Sequence, residues 1–334
     1  MVGAGSWGTA LAKHVAERGV PTRLWAREDE VAEGISRNHR NPLFLTGVDL
    51  PPHLRASTDL DAVLDGADVI VSVVPTQHVR RAFCDAGPAL ARAQVVVTAS
   101  KGIEAESLLL PHEILAQVGA PADHLVALSG PSFAREVAAG LPTAVVAAGC
   151  DRDRTLLVRD LFTATHFRVY SSTDIGSVEL GGALKNVMAI AAGVVDGLQL
   201  GDNARAAVIT RGLAEMTRLG VARGGDPRTF AGLSGIGDLM LTCSGALSRN
   251  RSVGVALGRG RSWREISAEM TEVAEGVHTS RSARDLGDAH GVDMPITDQV
   301  CQILFEGREP SAAVLELISR SPRDESDQPL GAGA

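Results

Sequence analysis

MVGAGSWGTA, residues 1–10, is the stretch on which the reading of this chain turns. Gly3, Gly5 and Gly8 make a G-x-G-x-x-G, a spacing that cradles a pyrophosphate when it follows a strand and opens a helix. A helix pattern does follow, with Leu11 and Val15 on one face and Gly19 suited to its end. Next comes a short strand, Thr22–Trp25 (TRLW), which brings the chain to Arg27, 19 residues after Gly8. A dinucleotide-binding fold sets at that distance the residue that meets the adenosine ribose. In a chain with 36 glycines the triplet alone could be a structural turn. The helix and strand behind it favour the dinucleotide loop. Only Met1 and Val2 precede Gly3, whereas strands usually run about 5–6 residues. The native product is therefore expected to begin upstream, with a short apolar strand.

Outward from the loop, the first half alternates strand and helix patterns. Val69–Val74 (VIVSVV), Val95–Ala99 (VVVTA), Leu125–Leu128 and Ala144–Ala148 read as strands. Several are apolar without alternation, as in parallel strands covered on both faces. The rhythm changes after about Tyr170. Glu179–Leu200 is apolar nearly all round, the mark of a buried helix. Residues 203–219 place Ile209, Leu213 and Met216 on one face, and Thr297 and Ser311 are read as caps of two later helices. From Pro322 the chain is small and polar, the composition of a disordered tail. The expected architecture is an α/β N-terminal Rossmann domain with a doubly wound, mostly parallel sheet (residues 1–178), an all-α C-terminal domain (179–320) and a tail (321–334).

Composition narrows the function classes. The 334 residues carry a formal charge of −8, which argues against a nucleic-acid surface or a basic membrane-binding face. No apolar run is read as a membrane span, and no signal peptide precedes the loop. Cys84, Cys150, Cys243 and Cys301 are far apart and read as four buried, reduced thiols in a cytoplasmic protein. Neither they nor the nine histidines show metal-ligand spacing, so no metal is expected.

Several polar residues stand where chemistry is plausible. Arg27 is not acidic, so it can pair with a 2′-phosphate that a carboxylate would repel; a solvated arginine is the bland alternative. Lys101 follows the strand VVVTA at its carboxyl end, where open α/β sheets bind ligands. Lys185 sits beside Asn186 inside the apolar helix. Either it snorkels to water, or it is buried and paired with its pKa pulled toward neutrality, fit to donate and recover a proton. Asp238 lies beyond the glycine turn of LSGIGDLMLTC (233–243). Ser248, Arg249 and Asn250, followed by Arg251, offer donors suited to a phosphate, although a helix start would also explain the run.

The ordered set GAGSWGTALA (3–12), LSGPSFAREVAAGLPTA (128–144), ALKNVMAIAAGVVDGL (183–198), LSGIGDLMLTC, SRN and VAEGVHT (273–279) resembles the bacterial NAD(P)-dependent sn-glycerol-3-phosphate dehydrogenases over residues 2 to about 320. The resemblance implies a cleft between the two domains in which dihydroxyacetone phosphate and sn-glycerol 3-phosphate interconvert, with NADPH or NADH as cofactor. The reaction would supply glycerophospholipid synthesis. It implies cofactor contacts from Gly3, Gly5, Ser6, Trp7, Gly8, Arg27, Lys101, Ala134, Arg249, Val273 and Glu275. It implies substrate contacts from Lys101, Gly130, Ser132, Lys185, Asp238, Ser248, Arg249 and Asn250, with Lys185 as proton donor and acceptor. The expected partners are the small-molecule substrate and a second copy of the chain in a homodimer, with no nucleic acid and no membrane insertion. Two competing readings are a sibling dehydrogenase of the 6-phosphogluconate or hydroxyacyl-CoA type and a non-catalytic NADPH-binding regulator. SGPSFA and SRN speak against the siblings, and Lys185 with Asp238 and Arg249 against the regulator.

Overall fold

The computed structural model describes residues 1–270 and 274–320. Its first half is one twisted sheet. Strands β1 (Arg23–Trp25), β2 (Arg55–Ser57), β3 (Val69–Ser72), β4 (Val95–Thr98), β5 (Leu125–Ser129), β6 (Thr143–Ala148) and β7 (Phe167–Ser172) follow in chain order. Val2 joins the two parts of the sheet, pairing in parallel with Trp25 on one side and Ser72 on the other. The spatial order is therefore β2-β1-Val2-β3-β4-β5-β6-β7. Neighbours run parallel except β5 and β6. The order reverses at Val2, with successive strands laid to either side, and open α/β sheets bind ligands at the carboxyl ends of the strands at such a switch. The glycine loop leaves the sheet at that point.

Five of the seven strands among the described residues carry a strand pattern in the sequence. β2 escaped because RAS is three residues long and half exposed. β7 escaped because its burial alternates on an outer strand, placing Arg168 and Tyr170 at the surface. The inner strand β4 is buried at every position, in keeping with its unbroken valine run.

Among the described residues no strand follows Ser172. The second half is built round one helix, Ile175–Gly197, buried without a break from Ser177 to Ile190. It starts four residues before the expected Glu179 because Asp174 caps it, accepting a hydrogen bond from the Ser177 amide at 3.0 Å. This helix has the length and composition to cross a membrane, contrary to the expectation that no run does, but it is wholly buried in protein. Helices Gly201–Ala222, Asp238–Ser244, Arg249–Gly258 and Glu275–Ala289 pack around it.

Three further expectations need correction. Thr297 does not cap its helix but lies inside Pro295–Phe305. The amides of Ile296 and Thr297 donate instead to the buried carboxylate of Glu215, at 2.9 and 3.0 Å, so the cap comes from another helix. Ser311 likewise lies inside Pro310–Ser319, whose N-cap is Glu309, because Pro310 already fits the first helical position. Of the four cysteines, only Cys243 and Cys301 are buried; Cys84 and Cys150 are exposed, at a helix end and after a strand end. The tail from Pro322 lies outside the described residues.

Candidate active site

The three glycines of the loop do three different things. Gly3 turns at φ +113° against the Val73 carbonyl, a conformation that L side chains rarely adopt. A Cβ on Gly8 would lie 1.9 Å from the Gly3 carbonyl oxygen, so this glycine lets the helix close on the strand. A Cβ on Gly5 would meet nothing within 4 Å. Gly5 thus opens onto free space at the start of the helix Ser6–Glu17, where backbone amides and the helix dipole favour an anion. A tight turn, an open approach and a close helix contact are what a pyrophosphate loop requires, and these residues fit a dinucleotide.

Around the loop, Trp7 and Ala134 pack against the same apolar cluster. The buried indole N–H of Trp7 finds no hydrogen-bond partner among the described residues. Ser6 is the first residue of the helix. Arg27 stands just beyond β1 with its side chain 77% exposed, and its guanidinium pairs with Glu28 at 2.6 Å.

Across the sheet edge, a second group converges on one carboxylate. Asp238 is fully buried at the start of its helix, after a wide turn kinked at Gly235. One of its oxygens accepts from Lys101 Nζ at 2.7 Å. The other accepts from Lys185 Nζ, which also donates to Thr242 Oγ1 at 3.0 Å. Lys185 is therefore buried and paired and does not snorkel. Lys101 also donates to the Gly130 carbonyl at 3.3 Å, to which Ser132 Oγ donates at 2.9 Å. Lys101, Gly130, Ser132, Lys185 and Asp238 are thus in one place.

The remaining candidates close the ring. Ser248 caps the helix Arg249–Gly258, accepting from the Arg251 amide at 3.2 Å, so the SRN run is indeed a helix start. Asn250 is buried, donates to Asn186 Oδ1 at 2.9 Å, and accepts from the Gly276 amide at 3.0 Å. Glu275 opens the helix Glu275–Ala289, within the fields of Arg249, Lys101 and Lys185. Val273 lies outside the described residues.

The electrostatics follow from burial. Desolvation pulls the Lys185 ammonium down to about 8, although Asp238 opposes the shift. Desolvation also acts to raise Asp238, but the charges of Lys101 and Lys185 prevail and hold its carboxyl below the usual range. Glu275 is pushed up to about 7 by burial, against the pull of Arg249, Lys101 and Lys185. Three cations face two carboxyls, one of them readily protonated, and this suits a site for a phosphorylated anion.

One model, the C-terminus of NAD-dependent glycerol-3-phosphate dehydrogenase, matches residues 174–315, and its N-terminal counterpart matches residues 1–155. The chain belongs to the NAD-dependent glycerol-3-phosphate dehydrogenase family. It is 51% identical over 327 residues to the glycerol-3-phosphate dehydrogenase [NAD(P)+] of Geobacter metallireducens, covering 97% of this chain and 98% of that one. The enzyme of the same name from Nitratidesulfovibrio vulgaris is 50% identical over 326 residues, covering 97% and 99%. Among solved structures, the glycerol-3-phosphate dehydrogenase of Coxiella burnetii superposes with a TM-score of 0.91 at 40% identity, covering 96% of this chain and 98% of that one.

In this dehydrogenase, motif reading passed over Thr242 and Asn186, which touch Lys185 and Asn250 respectively. Asn186 stood beside Lys185 in an apolar helix, and an amide buried there signals a polar partner. The Gly181-Gly182 pair was a second signal. A Cβ on Gly182 would lie 2.8 Å from Ser129 Oγ and one on Gly181 2.6 Å from the Ser234 carbonyl. Small residues here bring the helix against both the sheet edge and the turn that carries Asp238.

Proposed function

We propose that the site reduces dihydroxyacetone phosphate to sn-glycerol 3-phosphate, reversibly, and that Lys185 is its proton donor. The reading rests chiefly on the buried cluster in which Lys101 and Lys185 share Asp238. Bound NADPH or NADH supplies the hydride. Gly3, Gly5, Ser6, Trp7, Gly8, Arg27, Ala134 and Arg249 would hold that cofactor, with Lys101 between it and the substrate and Glu275 on its nicotinamide side.

Lys185 acts on the carbonyl oxygen. As the carbonyl carbon accepts the hydride, Lys185 Nζ gives a proton to the developing alkoxide and is left neutral beside Asp238. A solvent proton restores it, and in oxidation the steps run backward. An ammonium at about 8 is largely protonated at neutral pH yet gives up its proton without a steep uphill step. Asp238 and Thr242 fix the direction in which Lys185 points. Lys101, with Gly130 and Ser132, faces the same space. Ser248, Arg249 and Asn250 hold the phosphate, and anchoring that non-reacting group sets the carbonyl for attack.

The product is the backbone unit of glycerophospholipids, and we infer a cytoplasmic role in their supply. The assembly inferred is a homodimer, consistent with exposed Leu315 and Ile318 on the last helix; a monomer mass by sedimentation overturns that part. The main test is oxidation of NADPH and of NADH in the presence of dihydroxyacetone phosphate. Turnover with sn-glycerol 3-phosphate as product supports the proposal. Oxidation of 6-phosphogluconate by NADP+ or reduction of a 3-ketoacyl-CoA in its place, or no turnover at all, defeats it.

A further inference from the structure

Asn41 makes no hydrogen bond to the lysine cluster; it lies in the loop after the helix Asp29–Asn38 and is buried to 2% exposure. All four of its hydrogen-bonding positions are used. Its amide donates to the Ala4 carbonyl at 2.9 Å and to Thr9 Oγ1 at 2.8 Å. Its oxygen accepts from the amides of Leu43 and Phe44, at 3.2 and 2.8 Å, which makes a local turn. Thr9, fully buried, donates its own hydroxyl to the same Ala4 carbonyl at 3.1 Å.

Ala4 is the residue between Gly3 and Gly5 in the loop. Two donors therefore hold its carbonyl toward the protein interior. The structure contains no cis peptide among the described residues, so the Ala4–Gly5 unit is trans and planar. In such a unit the C=O and the next N–H point in opposite directions. Fixing the Ala4 carbonyl inward turns the Gly5 N–H outward, on the residue that opens onto free space.

We propose that Asn41 and Thr9 are positioning residues of the cofactor site: they lock the Ala4–Gly5 peptide so that the Gly5 amide faces the pyrophosphate. The inference rests on reading the loop as the dinucleotide site. If the clamp is released, the peptide plane can rotate and present a carbonyl to an anion. A local motif thus owes its productive shape to a side chain 37 positions away.

Two near-isosteric variants separate this role from a general structural one. Asn41→Asp keeps the acceptor that makes the Leu43–Phe44 turn but loses both donated bonds. Thr9→Val keeps the volume and loses the hydroxyl, whereas Thr9→Ser keeps the hydroxyl. The probes are ADP-ribose, which contains the pyrophosphate, and adenosine 2′-phosphate, which does not, measured by calorimetry on the full chain. The expected loss for ADP-ribose is about tenfold in Asn41→Asp and Thr9→Val, the effect of one hydrogen bond to a charged group. Adenosine 2′-phosphate should bind as to the unmodified protein, and Thr9→Ser should retain ADP-ribose affinity. If Asn41→Asp does not fold, Thr9→Val against Thr9→Ser decides. Equal losses for both probes, or unchanged ADP-ribose affinity in Thr9→Val, overturn the proposal. An unmodified protein that binds no ADP-ribose overturns the dinucleotide reading itself.

Discussion

The glycine loop and the lysine cluster, which the proposed function joins in one site, are assembled in opposite ways. The loop is local: Gly3, Gly5 and Gly8 lie within six residues, and their spacing states their roles. The cluster is assembled over distance. Lys101 and Asp238 are 137 positions apart, and Lys185 and Asp238 are 53 apart. Nothing near Asp238 in the sequence says that it will lie between two ammonium groups. The cluster also depends on the exclusion of water, because desolvation, helped by the charge of Lys101 and opposed by Asp238, brings Lys185 down to about 8. A motif that binds through its backbone can be read one residue at a time. A motif that acts through a perturbed side chain needs the fold first.

The contrast gives the largest expected effect to the cluster. Lys185→Ala should lower kcat by about 10²–10⁴-fold, the usual worth of a positioned proton donor. Affinity for NADPH measured without substrate should be unchanged. A near-normal kcat would remove the proton-donor assignment and leave the cluster a structural ion pair.

Next come the glycines, where the two halves of the loop's work separate. Gly8→Ala puts a methyl group into the Gly3 carbonyl and should cost about 1–3 kcal/mol or more of stability, visible as a lower midpoint in urea. Gly5→Ala meets no atom, so its stability should stay within about 0.5 kcal/mol while KM for NADPH rises. A Gly5→Ala protein with unchanged KM would mean that the open face of the loop receives nothing.

The smallest mutational effect belongs to the surface. Arg27→Glu should lower kcat/KM for NADPH by about tenfold or more, the scale of a lost charge-assisted bond. It should leave NADH far less affected. Arg27 already holds Glu28 at 2.6 Å, and a 2′-phosphate must compete with that carboxylate. Equal losses for the two cofactors would show that Arg27 does not read the phosphate.

Much of this was legible in the sequence, for identifiable reasons. The sheet showed itself because inner strands such as β4 are covered on both faces and carry no polar interruption. The helix Ile175–Gly197 showed itself because it is apolar nearly all round, so its polar residues stood out. What escaped was whatever a distant partner decides. The start of the helix Pro295–Phe305 is set by Glu215, 81 positions away, and Thr297 therefore looked like a cap. Thr242 has ordinary local surroundings, and Asn186, although it stood out in its apolar helix, meets its partner Asn250 only where two helices pack. Cys84 and Cys150 were assigned to the interior by residue type alone, and strand and helix ends exposed them.

The pH dependence of dihydroxyacetone phosphate reduction tests the central claim, that burial makes Lys185 the proton donor, most directly. Desolvation favours the neutral amine, so above about 8 the folded enzyme loses the proton that the reaction needs. The expected kcat/KM falls with rising pH, approaching tenfold per unit beyond that point. In Lys185→Ala this falling limb should be absent from the residual activity. A limb near 8 that survives in Lys185→Ala, or a flat profile in the unmodified enzyme, would contradict the account.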